Sequence, residues 1–185
     1  MQVILASRSP RRLQLLQSVG LAVEVRPSHT NEDLLPGENV KSSVLRLAEA
    51  KACAISGKVH HPVIAADTLV ALNGEPLGQP DSLDEARNML KRMAGSTHQV
   101  HTGVCVRWGK NQALDSACSH VHFFELQDDE IETYLEHNEV LDKAGAYAIQ
   151  GGAASFVQSV DGPLDNVIGL PVRLTLSMLA RVYTP

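Results

Sequence analysis

Short apolar runs alternate along the chain with longer stripes at helical spacing. Val3 to Ala6 is a continuous apolar run of strand type, and Leu13 and Leu16 continue as a helical stripe up to Gly20. Between them, Ser9 suits an N-cap and Pro10 the first helical position. Ala22 to Val25 predicts a second strand, followed by a polar loop over 27–39 that contains Glu32 and Asp33. Asn39 is the expected cap of a helix running to about Ser56, with Val40, Val44, Leu47, Ala48 and Ile55 on its apolar face. Val63 to Leu72 is the most apolar strand, and Asn73-Gly74 ends it in a turn. Ser82 and Glu85 predict a capping box for a helix to about Ala94, stopped by Gly95. Gln99 to Trp108 and Leu114 to Phe124 read as long strands paired across a turn at 109–112. Asp128 is the expected cap of a helix to about His137, Ser155 to Val160 a last strand, and Pro171 the start of a C-terminal helix carrying Leu174, Met178 and Arg181. From Asp142 to Gly152 the chain is a loop of small residues, whose glycines allow a ligand close to the backbone.

Charged residues interrupt this pattern at three places. Arg11 and Arg12 fall in the first turn of the first helix, where the dipole disfavours cations by roughly 0.3–1 kcal/mol each. Free N–H groups and two guanidinium groups make that turn either a solvated basic surface or an anion site. Lys51 lies eleven residues after Val40, close to three full turns, and so in the middle of the apolar face. There an ammonium needs an anionic partner or a route to water, which leaves a snorkelling lysine and a functional one as alternatives. Asp67 shares a strand face with Val63, Ala65, Leu69 and Ala71, while Thr68 points to the other side. A carboxylate in such a position is costly unless paired. It is either a structural ion pair, or a metal ligand or general base at a cleft.

Composition narrows the classes. At 185 residues the chain is long enough for one substantial core, or one domain with two lobes. A formal net charge of -5 argues against a dedicated nucleic-acid binder and gives no reason to expect an anionic membrane as partner. No apolar run is long enough to span a bilayer, and the first one is too short for a signal peptide. The cysteines Cys53, Cys105 and Cys118 are odd in number and lack metal or redox spacing, which fits a reduced cytoplasm. His98 and His101, or His120 and His122, invite a metal reading, but none has the context of a zinc motif and ordinary strand histidines are preferred. No nucleophile-elbow serine, P-loop or dinucleotide fingerprint is present.

Taken together, Ser7-Arg8-Ser9-Pro10-Arg11-Arg12, Glu32, Lys51 within Leu47-Ala48-Glu49-Ala50-Lys51-Ala52, Ala66-Asp67-Thr68, the stretch from Gly95 through His98 to Thr102-Gly103, Asp142 to Gly151, and Gly169-Leu170-Pro171 resemble the Maf (septum-formation-inhibitor-like) nucleoside triphosphate pyrophosphatases. These anchors span almost the whole chain in the family's order. The resemblance implies a single domain over 1–185 with an elongated mixed α/β fold, two lobes and a central cleft, similar to the inosine triphosphatase-like fold. It implies hydrolysis of a nucleoside triphosphate to monophosphate and pyrophosphate, a divalent magnesium or manganese ion, and a cytoplasmic homodimer.

The stretch from Lys143 to Gly151 is similar to the branch acting on dTTP and UTP. On a physical account, Asp67, Glu32 and Lys51 are the catalytic candidates: Lys51 joins Arg11 and Arg12 in supplying cations for a triphosphate, Glu32 and Asp67 are candidate metal ligands, and Asp67 is the candidate base, with base and ligand roles open between these two. By resemblance, Ser7, Arg11, Arg12, Thr68, Gln79 and Gln150 bind substrate, and Arg11, Thr68 and Gln150 match the specificity positions. The family usually carries lysine where this chain has Gln79, and a bulky aromatic near Leu164 and Asp165. Two alternatives stay open: a nucleotide-binding regulator of cell division, and the same chemistry on a modified or purine nucleotide.

Overall fold

The computed structural model describes residues 1–55 and 59–183. Seven strands form one mixed sheet in the order β2-β1-β3-β5-β6-β7, with β4 paired to β3. The strands are β1 (Gln2–Leu5), β2 (Ala22–Val25), β3 (Val63–Leu72), β4 (Glu75–Leu77), β5 (Thr97–Trp108), β6 (Asn111–Phe123) and β7 (Val157–Asp161). Helices α1 (Pro10–Ser18), α2 (Val40–Cys53), α3 (Leu83–Met93), α4 (Asp128–His137), α5 (Leu164–Ile168) and α6 (Val172–Val182) flank it, as an α/β chain requires. β1 runs parallel to both β2 and β3, whereas β4 on β3 and β7 on β6 are antiparallel.

The chain divides into two compact units. The first comprises Met1–Thr68, Thr102–Ala117 and the segment from Gly169 onward; the second comprises Leu69–His101 and Cys118–Ile168. Strands of the first unit are covered on both faces, so they read as continuous apolar runs. Val3, Leu5, Ile64, Ala66, Val104 and Val106 pack with Leu16, Leu170 and Met178. The intervening Ile4, Ala6, Val63, Ala65 and Cys105 pack with Ala48 and Ala52 of α2. Gly103 lets α2 come close: a Cβ there would lie 2.2 Å from the Val44 carbonyl oxygen. The second unit has its own core, in which Val70, Leu90, Met93, Phe123, Ile131 and Phe156 are members.

Most predicted elements are present with small shifts. α1 carries the Ser9 cap, whose hydroxyl accepts from Arg12 N, and Pro10 opens it. α2 is capped by Asn39 and its helical span ends at Cys53; the expected end at Ser56 lies outside the described residues. The cap of α4 is Gln127, not Asp128, because Glu130 Oε2 reaches back to the Gln127 N–H at 2.8 Å and Asp128 is already helical. The last strand starts at Val157, since Ala153–Phe156 forms a 3₁₀ turn. β4 and α5 were not expected. β4 follows from Asn73 and Gly74, both at positive φ (53° and 81°), as in a tight hairpin turn.

Candidate active site

Asp67 and Thr68 stand next to each other on β3 and face opposite sides of the first unit. Asp67 lies on the face covered by α2. There the Lys51 ammonium donates to Asp67 Oδ1 at 2.6 Å, and Glu32 Oε2 lies 2.7 Å from the same Nζ. Lys51 is 6 % exposed and Asp67 5 %, whereas Glu32 is exposed. The lysine predicted to need an anion and the aspartate predicted to need a cation therefore satisfy one another. Glu32 adds a second carboxylate to the one ammonium, so two acidic side chains share one basic partner. The alternative of a lysine snorkelling to water does not hold, because its head is buried and paired.

On the opposite face the guanidinium of Arg12 is held at three points. Its Nε donates to the Gly169 carbonyl at 2.8 Å, Nη1 to Ser7 Oγ at 3.2 Å, and Nη2 to Thr68 Oγ1 at 3.0 Å. Thr68 Oγ1 in turn lies 3.0 Å from Thr102 Oγ1. These bonds engage three of the five donors of the arginine. Burial lowers the proton affinity of Arg12, and the charges of Asp67 and Glu32 act the other way. Ser7 also accepts from Ser9 N at 3.2 Å, which tightens the turn into α1. Arg11 follows on the first turn and is half-buried.

Thr102 and the Gly169 carbonyl are site members that residue-by-residue reading missed; only their place in the Thr102-Gly103 and Gly169-Leu170-Pro171 motifs marked them. Arg46 was missed entirely. Its guanidinium grips both carboxylate oxygens of Glu38, with Nε–Oε1 at 2.9 Å and Nη2–Oε2 at 2.7 Å. Nothing in local spacing joins residues eight apart across a helix start.

Gln79 and Gln150 belong to the second unit. The Gln79 amide donates to the Asp142 carbonyl at 3.1 Å, and Gln150 is exposed at the end of the small-residue loop. That loop is fixed by Gly145 N donating to the Gly78 carbonyl and Ala148 N to the Tyr134 hydroxyl. At Gly145 φ is +69° and a Cβ would sit 3.1 Å from Val70, so only glycine fits comfortably.

The candidate metal ligands His98, His101, His120 and His122 are ordinary strand residues. His120 meets Gln99 and His122 meets Thr97. His98 is 1 % exposed, bonds the Tyr147 hydroxyl at 2.7 Å and is pushed down to about 4 by burial, so it is neutral at pH 7. Among the described residues no three His, Cys, Asp or Glu side chains form a metal cluster. Two carboxylates converging on one point nevertheless suit a hard cation of the magnesium or manganese type, which typically takes one or two carboxylates and completes its shell with water and substrate phosphate.

The model of the Maf-like protein family matches residues 2–182. A dTTP/UTP pyrophosphatase of Anaeromyxobacter dehalogenans is 48% identical, with 100% of this chain and 95% of that protein covered. One from Pyrococcus furiosus is 40% identical over 96% of this chain and 94% of its own length. Among solved structures, the Ham1 protein of Staphylococcus aureus aligns with a TM-score of 0.46 and 16% identity, covering 66% of this chain and 72% of that one. With a family match along nearly its entire length, and relatives this similar from end to end, the chain belongs to the Maf-like protein family.

Proposed function

We propose that this protein hydrolyses dTTP and UTP to the monophosphate and pyrophosphate. The observation that carries the proposal is the buried Lys51 ammonium held between Asp67 and Glu32, in the same unit as the Arg11–Arg12 turn. The polyphosphate is strongly anionic, and Arg11, the remaining donors of Arg12 and the N-terminal end of α1 supply the complementary field. Asp67 accepts a proton from the attacking water. The water oxygen bonds to the α-phosphorus as the bond to the α–β bridging oxygen breaks, and pyrophosphate leaves with that electron pair. Lys51 holds the Asp67 carboxylate in place through the 2.6 Å bond to Oδ1 until substrate arrives. Glu32 and Asp67 would hold a magnesium or manganese ion, which would supply positive charge to the phosphates.

Thr68, whose hydroxyl is fixed by Arg12 and Thr102, is assigned with Arg11 and Gln150 to substrate specificity. Gln150 can both donate to and accept from a pyrimidine edge. Gln79 is assigned to the phosphate-binding set as a neutral donor. The resemblance also assigns a cytoplasmic homodimer, which light scattering on the purified protein tests for its oligomeric part. Among the described residues no helix is long and apolar enough to cross a membrane.

A panel of UTP, dTTP, CTP, ATP, GTP and 7-methyl-GTP, with separate detection of pyrophosphate and orthophosphate at graded magnesium and manganese, tests the assignment. Pyrophosphate from UTP and dTTP is the expected result. Orthophosphate release, binding without turnover, or preference for 7-methyl-GTP refutes it.

A further inference from the structure

Glu32 is exposed and sits in residues 26–39, a stretch with no helix or strand. Neither packing nor a ladder of backbone bonds fixes its carboxylate, yet that carboxylate lies 2.7 Å from Lys51 Nζ. A local turn accounts for part of the placement. Asn31 Oδ1 accepts from Asp33 N at 2.8 Å, closing an Asx-turn with Glu32 at its apex. The Asn31 amide also donates to Asp33 Oδ2 at 2.9 Å. Such a turn sets the shape of three residues but not where they stand.

Its anchor is on α2. Arg46 Nη2 donates to the Asp33 carbonyl oxygen at 3.1 Å. The same guanidinium holds Glu38 in a two-pronged bond, and Glu38 also accepts from Ser43 Oγ at 2.8 Å. One planar group thus ties both ends of the 33–38 segment to the helix that carries Lys51. A lysine has no fork with which to bridge a carboxylate and a carbonyl in this way. We propose that Arg46 is a positioning residue, which clamps the Glu32 turn to α2 and so holds the Glu32 carboxylate against Lys51. It acts through Glu32 and touches no reacting atom. Its effect on turnover rests on the hydrolase assignment made above; its effect on the turn does not.

Two measurements on the full-length protein test this. In Arg46→Ala, amide hydrogen exchange over residues 31–34 accelerates at least tenfold while α2 and β3 keep their protection. Glu38→Gln, which leaves Arg46 in place and removes half of the fork, accelerates exchange over 33–38 to a lesser degree. In pyrophosphate release, Arg46→Ala lowers turnover about as much as Glu32→Gln, and the double variant is within twofold of Glu32→Gln alone. Arg46→Lys does not restore it. Unchanged exchange over 31–34 in Arg46→Ala overturns the proposal, and so do losses that multiply in the double variant. If Glu32→Gln keeps full turnover, the catalytic assignment of Glu32 fails, and the exchange result still decides the role of Arg46.

Discussion

Replacing Asp67 by Asn separates chemistry from stability. The two side chains have nearly the same shape, and Asn keeps an oxygen where Asp67 Oδ1 now accepts from Lys51 at 2.6 Å. Breaking a buried ion pair typically costs about 3–5 kcal/mol when the surviving charge is left alone. Here it is not left alone, because Glu32 remains 2.7 Å from the ammonium. What is lost is the difference between a charge-assisted and a neutral hydrogen bond, about 1–2 kcal/mol. In a protein of this size that lowers Tm by roughly 2–8 °C. Turnover should fall by about 10²–10⁴, the usual contribution of a general base.

Lys51→Met provides the contrast. It leaves two carboxylates facing each other without their shared cation and should cost about 3–5 kcal/mol. Scanning calorimetry and a pyrophosphate-release assay on both variants give the answer. If Asp67→Asn keeps more than about a tenth of the wild-type rate, Asp67 is not the base. If it is less stable than Lys51→Met, the shared-cation account of the cluster is wrong.

Further outcomes follow from the same geometry. His98 is held neutral by burial, with its proton affinity lowered to about 4 from an ordinary 6.5. The native state thus refuses a proton that the unfolded chain accepts; this stability is complete above pH 6.5 and is lost as pH falls toward 4, by on the order of 3 kcal/mol. Urea midpoints between pH 7.5 and 4.5 check this, and a His98→Gln variant with an unchanged slope would contradict it. Gly103→Ala places a Cβ 2.2 Å from the Val44 carbonyl oxygen, so α2 must shift, at about 1–3 kcal/mol; a wild-type melting temperature would show that the helix yields freely. Gln79→Lys should raise kcat/KM at low salt by on the order of 1 kcal/mol, about fivefold, with the gain fading as salt screens the added charge. No change at any ionic strength would remove Gln79 from the phosphate-binding set.

Much of the first unit was legible because its signals are local. The β1 run, the Ser9 cap and Pro10 predict the turn that presents Arg11 and Arg12. The periodicities of α2 and β3 place Lys51 and Asp67 on covered faces, each requiring an opposite charge. That they meet each other depends on α2 lying against the sheet, which a period cannot specify. Glu32 was harder: it lies in a loop without periodicity, and only the family resemblance singled it out. The Arg46 clamp left no trace, since it joins a helix to a loop through one guanidinium. Misread boundaries have local causes as well. Gln is an uncommon cap, so Asp128 drew the assignment that Gln127 holds through Glu130. β4, with three residues, and α5, with five, are too short for a repeat to show.

The bond from Arg12 to the Gly169 carbonyl spans 157 residues. Its consequence concerns the order of events during synthesis. The first unit is assembled from the beginning, middle and end of the chain, and Leu170, Met178 and Leu179 complete the core beneath α1. Until the ribosome has delivered that last stretch, the Ser7–Arg12 turn lacks both the apolar floor under it and the acceptor that aims its guanidinium. The second unit, Leu69–His101 with Cys118–Ile168, is already fully translated by then and has a separate core to collapse around. A nascent chain paused just before residue 169 therefore carries Arg12 but not the carbonyl that aligns it. Alignment of the Arg12 guanidinium thus waits on the segment from Gly169 onward, and a chain truncated before Gly169 should lose whatever binding depends on that alignment.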